Sequence, residues 1–366
     1  MLKVTGIFSA VIALLLSGTA SAVELRVLEW EGYISTFKTD FEQYAKSKGK
    51  DVTLVFPKRP DGTTRYITSA DDIFTDLRNG ATDIVTPTNN YYRGENAKLI
   101  QLLQPVDAAK LGNLGSVYPR LRDAAFFRND DGSVYGVPLL GGSYALAYNA
   151  GKGVKSPNWA DLLTPAAKGK FMVTSDQFEA NVYQMALLSG VKPADIYDID
   201  RYSEAQRTQV AAHLKTLVAN SAGFWGGMPY PKDMKGLDYV TDYWFGVAAA
   251  NKEGQNWRIA KSAEKVTVWM DTLAISRAVG KDPAKLDAAY LLLDYMISPD
   301  VQARIHKEFG SVAINAQAAK LLPPEMAAGL PGEDFFAEEY FWQPLTPRTR
   351  NAFKIMWDNA VKAAGK

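Results

Sequence analysis

Apolar positions cluster from the first part of the chain at two alternating periods. The run Leu25-Arg26-Val27-Leu28-Glu29-Trp30 predicts a strand, and Tyr33, Phe37, Phe41 and Tyr44 follow at spacings of 4, 4 and 3, one face of a helix. Val52–Phe56 predicts the next strand. A helix from Asp71 to Asn79 carries Ile73, Phe74 and Leu77 and stops at Gly80, and Asp83–Thr86 is a third strand. A β-α-β-α-β order demands a parallel sheet with right-handed crossovers. Ligands of such sheets sit beyond the carboxyl ends of the strands, which places Trp30, Glu31, Thr88, Asn89, Asn90 and Tyr91 at one crevice.

A second cluster opens after the turn Asn129-Asp130-Asp131-Gly132. Residues 135–143 read as a strand interrupted by Gly136, Gly141 and Gly142, small residues that suit a hinge. Beyond it come a strand over Lys170–Thr174, helices near 179–189 and 204–220, and the aromatic stretch Tyr243-Trp244-Phe245. A long strand over Val266–Ile275 precedes an amphipathic helix from Pro283 to Ile297. The last helix, Pro347–Ala364, puts Phe353, Met356, Trp357, Ala360 and Val361 on one face. There is no internal repeat and no low-complexity segment.

Composition adds compartment and excludes partners. Residues 1–22 read as a secretory signal, with Lys3, an apolar stretch from Ile7 to Leu16 and the A-x-A pattern Ala20-Ser21-Ala22, so cleavage is expected after Ala22 and the expected destination is a bacterial periplasm, with a Gram-positive wall or the medium as the alternative. The apolar stretch is shorter than the ~20 residues a membrane span needs. Of 41 basic and 40 acidic residues, removal of the signal takes Lys3 and leaves the signs balanced, with no run of five like charges; nucleic acid is excluded as a partner. With no cysteine there are no disulfides, thiolate metal sites or Cys nucleophiles.

Catalytic constellations are missing. The chain has no G-x-S-x-G, no G-x-x-x-x-G-K-[ST], no G-x-G-x-x-G and no H-E-x-x-H. Its two histidines, His213 and His306, sit in separate helical patterns. The S-x-x-K matches at Ser47–Lys50 and Ser262–Lys265 lie in polar stretches, Asp195, Asp198 and Asp200 lack the glycine of a calcium loop, and Glu338-Glu339 belongs to an acidic surface patch. No cofactor and no enzymatic step are expected.

What the chain does carry is aromatic side chains near element ends, where packing does not require them: Trp30, Tyr33, Tyr91, Tyr92, Trp244, Trp269 and Trp342. Glu31 adjoins Trp30, and Asp271 stands two residues from Trp269. Rings beside a carboxylate suit an organic cation, through ~0.5–2 kcal/mol of cation–π attraction, a charge-assisted hydrogen bond and about 0.8 kcal/mol per buried methylene.

Several segments, in one order, resemble the periplasmic spermidine/putrescine-binding proteins of ABC importers: LRVLEWEGYI at Leu25–Ile34, Asp83–Tyr92, Tyr135–Asn149, Asn158–Leu163, Val182–Leu187, V-W-M-D-T-L-A-I at Val268–Ile275 and Trp342-Gln343. The resemblance implies an α/β, two-lobed periplasmic binding protein fold of type II, each lobe a mostly parallel sheet flanked by helices, joined by crossing strands. The expected lobes are 23–138 plus 272–314 and 139–271 plus 315–366. It also implies a slot lined by Trp30, Tyr33, Thr88, Tyr91, Trp244, Trp269, Asp271 and Gln343, with Asp271 on an ammonium and Trp244 and Trp269 sandwiching the alkyl chain. The implied partners are a small organic amine and an inner-membrane permease, and the expected state is a monomer.

Two family acids are replaced, by Phe178 and Asn181, and a family tyrosine by Ser311. A dication closed against one carboxylate would lose several kcal/mol of solvation, so the polyamine reading calls on Glu31 or Glu179 for the second charge. An amino-acid-like or opine-like amine is the alternative, prompted by Arg93 and Arg258. A ligand-sensing partner of a membrane receptor is another.

Overall fold

A computed structural model describes residues 22–93, 99–261, 267–337 and 340–366. The signal segment up to residue 21, the Ser262–Lys265 match and Glu338-Glu339 lie outside the described residues. Among the described residues ten strands form two five-stranded sheets. The first, in order β2-β1-β3-β10-β4, takes β1 (Val23–Leu28), β2 (Val52–Val55), β3 (Ile84–Val85), β4 (Val137–Ser143) and β10 (Val268–Ile275). The second, β7-β6-β8-β5-β9, takes β5 (Ala145–Asn149), β6 (Phe171–Thr174), β7 (Gly223–Trp225), β8 (Tyr239–Asp242) and β9 (Trp257–Ile259).

In each sheet three strands pair parallel, as the βαβ pattern requires, and one more, β10 in the first and β5 in the second, pairs antiparallel with a neighbour on each side. The mixture follows from the crossing. Only Tyr144 separates β4 from β5, so one extended segment leaves the first sheet and enters the second, while β10 runs back beside β4. The lobe junctions expected at 138/139 and 271/272 fall inside β4 and β10, which pair within the first sheet.

Two features of that pair shape the cleft. Its register slips between Asp271 and Thr272, which face Leu140 and Pro138 and leave Leu139 as a bulge. The buried Gln302 amide donates to the freed Leu139 carbonyl at 2.9 Å. Pro138 is tolerated because β4 is an edge strand. Gly142 lies under Trp269, where a Cβ would stand 2.8 Å from the indole Cζ2.

The first predicted helix is broken at its start. A 3-10 turn over Ser35–Phe37 precedes the helix Lys38–Ser47, and the buried Glu29 carboxylate accepts from the backbone N–H groups of Ile34 and Ser35. Burial pushes Glu29 up to about 7 against those bonds. Tyr33 therefore belongs to a turn after β1, with Gly32 at φ +85°, and its ring is free of the helix face.

Gly142→Ala is expected to push the Trp269 indole off β4 and cost about 1–3 kcal/mol, the usual range for overpacking. The check is a lowered urea midpoint with an unchanged m-value; an unshifted midpoint would mean the close approach carries no packing constraint.

Candidate functional site

A cavity of about 500 Å³ opens between the sheets, beyond the carboxyl ends of β1 and β3 on one side and of β6, β7 and β8 on the other. Its aromatic wall centres on Trp269. Phe245 packs on that ring at 5.6 Å and Tyr243 meets it edge-on at 6.2 Å. Trp342 joins Tyr243 at 6.0 Å, and Tyr33 joins Phe245 at 5.9 Å.

Asp271 is the buried acid of the cavity, 4% exposed. The Tyr33 hydroxyl donates to its Oδ2 at 2.8 Å, while Oδ1 lacks a well-formed hydrogen bond among the described residues. Desolvation pushes the carboxyl up to about 7, against the opposing effect of the Thr88 and Tyr33 hydroxyls. An acid so placed is short of positive charge and of donors.

Other lining charges divide by position. Glu31 is exposed on the rim, where its charge and burial both raise the Tyr230 hydroxyl across the mouth. Asp176 follows β6 on the second lobe; it accepts from the Gly227 N–H at 2.6 Å, the Thr174 hydroxyl at 2.7 Å and the Gln177 N–H at 2.9 Å. Lys252 is paired with Glu308 at 2.6 Å. Arg59 lines the rim and has no ion pair among the described residues. Four acids thus face two bases.

Of the residues expected from the sequence, Trp30, Glu31, Tyr33, Thr88, Trp269 and Asp271 line this cavity; Tyr91, Glu179, Trp244 and Gln343 do not. Glu179 accepts from the Arg350 guanidinium at 3.1 Å, which orients its carboxylate toward the C-terminal helix Pro347–Ala364. Tyr91 is half-buried near both Asp271 and Glu179, whose charges add to burial in raising its hydroxyl. Trp342 N–H donates to Val268 O and Asn89 Nδ2 donates to Trp342 O, and with its backbone so pinned Trp342 is buried at the cavity while the neighbouring Gln343 is exposed. Trp244 gives its place to its neighbours: its indole N–H donates to Ser143 Oγ at 3.1 Å and its ring meets Phe335 at 5.9 Å. Among the described residues Trp244 is the one non-glycine at positive φ, +82°, a conformation costing about 1–2 kcal/mol.

Phe178 and Asn181 have structural roles. Phe178 stacks on Trp357, and the buried Asn181 accepts from the Tyr144 hydroxyl and donates to Thr174 O. Arg93, bonded to Arg128 O, and Arg258, on β9, lie outside the cavity, as do both histidines. Lining residues that the sequence pattern does not single out include Asp176, Arg59, Tyr66 and Phe309, and Tyr243, Phe245 and Trp342, noted there as aromatics, line the cavity without having been assigned to the slot. Applying the strand-end rule to the second sheet would have found Asp176, which stands two residues past β6, and Tyr243, which directly follows β8.

The sequence model for bacterial extracellular solute-binding proteins matches residues 41–331. The chain belongs to that family. It is 28% identical over 292 residues to the spermidine/putrescine-binding periplasmic protein of Escherichia coli K12, covering 78% of this chain and 76% of the relative. To the putrescine/cadaverine-binding protein of Pseudomonas aeruginosa it is 22% identical, over 94% and 96%. A solved spermidine/putrescine ABC transporter substrate-binding protein from Streptococcus pneumoniae superposes with a TM-score of 0.69 at 17% identity, over 94% of this chain and 100% of that one. An Agrobacterium tumefaciens binding protein in complex with agropinic acid gives 0.61 at 20% identity, over 93% and 99%. The fold is the two-lobed type II periplasmic binding protein fold, and the chain is a solute-binding protein homologous to the spermidine/putrescine-binding ones, a class of binding proteins rather than enzymes.

The raised Asp271 carboxyl sets the sign of a pH effect. The folded chain keeps this proton up to about pH 7, whereas an unfolded aspartate releases it near 4. Between those values the folded state binds more protons, so this group lowers stability as pH rises. Asp271→Asn is therefore expected to gain urea midpoint relative to wild type from pH 5 to pH 8, flattening the slope by at most one proton, about 1.4 kcal/mol per pH unit. A pH-independent difference would refute the assignment.

Proposed function

We propose that this chain is the substrate-binding component of an ABC importer, exported to the periplasm after cleavage behind Ala22, and that as a monomer it captures a putrescine- or spermidine-like amine for delivery to a membrane permease. The observation that carries the reading is the buried Asp271 carboxylate, bonded to Tyr33 within an aromatic wall. An alkylammonium offers that acid a charge-assisted bond, and its methylenes would lie along the apolar wall that Trp269, Tyr243 and Phe245 form. The lobes would be 23–138 plus 272–314 and 139–271 plus 315–366, hinged on the crossing strands.

The second charge of a diamine has two available partners, Asp176 on the far lobe and Glu31 on the rim; Glu179 is engaged by Arg350. Arg59, lining the rim without an ion pair, favours the second reading, an amino-acid-like or opine-like amine whose carboxylate meets the guanidinium. A sensing role on a membrane receptor would use the same site.

The deciding experiment is a thermal-shift panel on mature protein refolded to strip ligand, with putrescine, spermidine, γ-aminobutyrate and amino acids. Ligand at 100 times its Kd adds about 2.7 kcal/mol. A shift confined to di- and triamines, lost in Asp271→Ala by about 30-fold or more in Kd, is expected, since removing one partner of a buried charge pair costs about 2–5 kcal/mol. Unchanged putrescine affinity in Asp271→Ala would overturn the polyamine reading, and a response to zwitterions alone would replace it with the second.

A further inference from the structure

Glu29 is a buried acid that the proposed capture step leaves unused. It directly follows β1, is 1% exposed and does not line the cavity, yet the next four residues, Trp30, Glu31, Gly32 and Tyr33, all do. Its carboxylate meets the chain again just past that stretch. There it accepts from the Ile34 and Ser35 N–H groups, a side chain bridging five and six residues forward.

Among the described residues no other side chain accepts from those two donors. They open the 3-10 turn Ser35–Phe37, and the first N–H groups of a helix have no partner within it; neither Ile34 nor Phe37 supplies a side-chain cap, and the turn itself holds no acid. The origin of the bridge is anchored as well, since the Glu29 carbonyl accepts from Ile67 N–H at 2.8 Å and Trp30 N–H donates to Thr86 Oγ1 at 3.0 Å. Inside the bridge Gly32 turns the chain at φ +85°, and Tyr33 N–H donates to Trp30 O at 3.2 Å. The bridged stretch ends on Tyr33, whose hydroxyl donates to Asp271 Oδ2.

We infer that Glu29 is a positioning residue of the site: its carboxylate, held on the Ile34 and Ser35 N–H groups, closes the turn that carries Trp30 and Tyr33 into the cavity and so delivers the Tyr33 hydroxyl to Asp271. Packing on Phe245 and Phe309, at 5.9 and 6.1 Å, is the competing way to hold the Tyr33 ring. The two differ in what a change at Glu29 does to Asp271.

Asp271 is bonded by the Tyr33 and Thr88 hydroxyls, and Tyr91 and Tyr92 feel its charge; burial raises all three tyrosines above their ordinary value, so its carboxyl titrates among neutral hydroxyls. The other cavity acids, Glu31, Asp176 and Glu308, are the same in every variant. Glu29→Gln removes a negative charge, which alone would lower the Asp271 pKa, whereas withdrawal of the Tyr33 donor raises it. The sign separates the two. On ligand-free protein the 13C carboxyl resonance of Asp271, assigned by its loss in Asp271→Asn, is titrated in wild type, Glu29→Gln, Tyr33→Phe and the double variant. The expected result is a rise in both singles and no further rise in the double. A fall or no change in Glu29→Gln, or an additive double, would overturn the inference. Glu29→Asp keeps the charge but shortens the reach by one methylene, and it is expected to raise Asp271 likewise; if neither Glu29 variant folds, Glu29 serves the fold alone and the inference falls. Putrescine Kd by calorimetry is the second readout, weakened about tenfold in each single and no more in the double, on the scale of one hydrogen bond to a charged group. That arm rests on the proposed function. Wild type that does not bind putrescine defeats that reading, and the carboxyl titration still decides the role of Glu29.

Discussion

The antiparallel pairing of β4 with β10 is the contact on which both the two-lobed shape and the slot depend. Through β4 and the single residue Tyr144 the chain passes from one sheet to the other, so whatever fixes β4 fixes the relation between the sheets. β10 brings Trp269 and Asp271 to that junction, on the same face two residues apart. The slip after Asp271 matters because a regular ladder would have left no extra residue, and the Leu139 bulge turns the partner strand locally where the acid must face open space. Gln302 meets the backbone cost of that slip by donating to Leu139 O and also to Met296 O.

Around this pair the molecule spends stability on selectivity. A carboxylate at 4% exposure with one oxygen short of a donor is unfavourable in isolation, and so is a tryptophan at positive φ. Both lie within a few residues of the cavity, and both are held by ordinary elements: β10 for Asp271, and the Asp242-capped helix and Gly310 for Trp244. Departures from local preference concentrated at one place, with regular sheets on either side, are what a binding cleft on a rigid frame requires.

Much of this was legible in the sequence. The βαβ order gave the parallel cores, Gly141 and Gly142 marked the crossing strand, and the strand-end rule put Trp30 and Thr88 at the crevice together. What periodicity could not reach is orientation set by tertiary bonds. Gln343 and Trp342 are neighbours in a segment with no regular element, and the backbone bonds to Asn89 and Val268 together with ring contacts to Tyr183 and Tyr243 hold Trp342 inward. Glu179 sits in the first turn of a helix, where charge is common, and Arg350, 171 residues away, decides its direction. Trp244 occupies its expected place along the chain, but its backbone lies outside the region that strand or helix patterns describe.

The electrostatics of the cavity are local, and that constrains how a ligand finds it. The chain is nearly charge-balanced, with 41 basic and 40 acidic residues, so its surface has almost no net field at a distance, while inside the mouth four acids face two bases, one of which is neutralised by Glu308. Exposed charges are screened beyond about 8 Å at physiological salt, so Glu31 acts on a ligand only once it reaches the rim. Asp271, desolvated and barely screened, acts only over the last few ångströms. The charges that line the cavity therefore act at short range, with Asp271 contributed by the first sheet and Asp176 following β6 of the second.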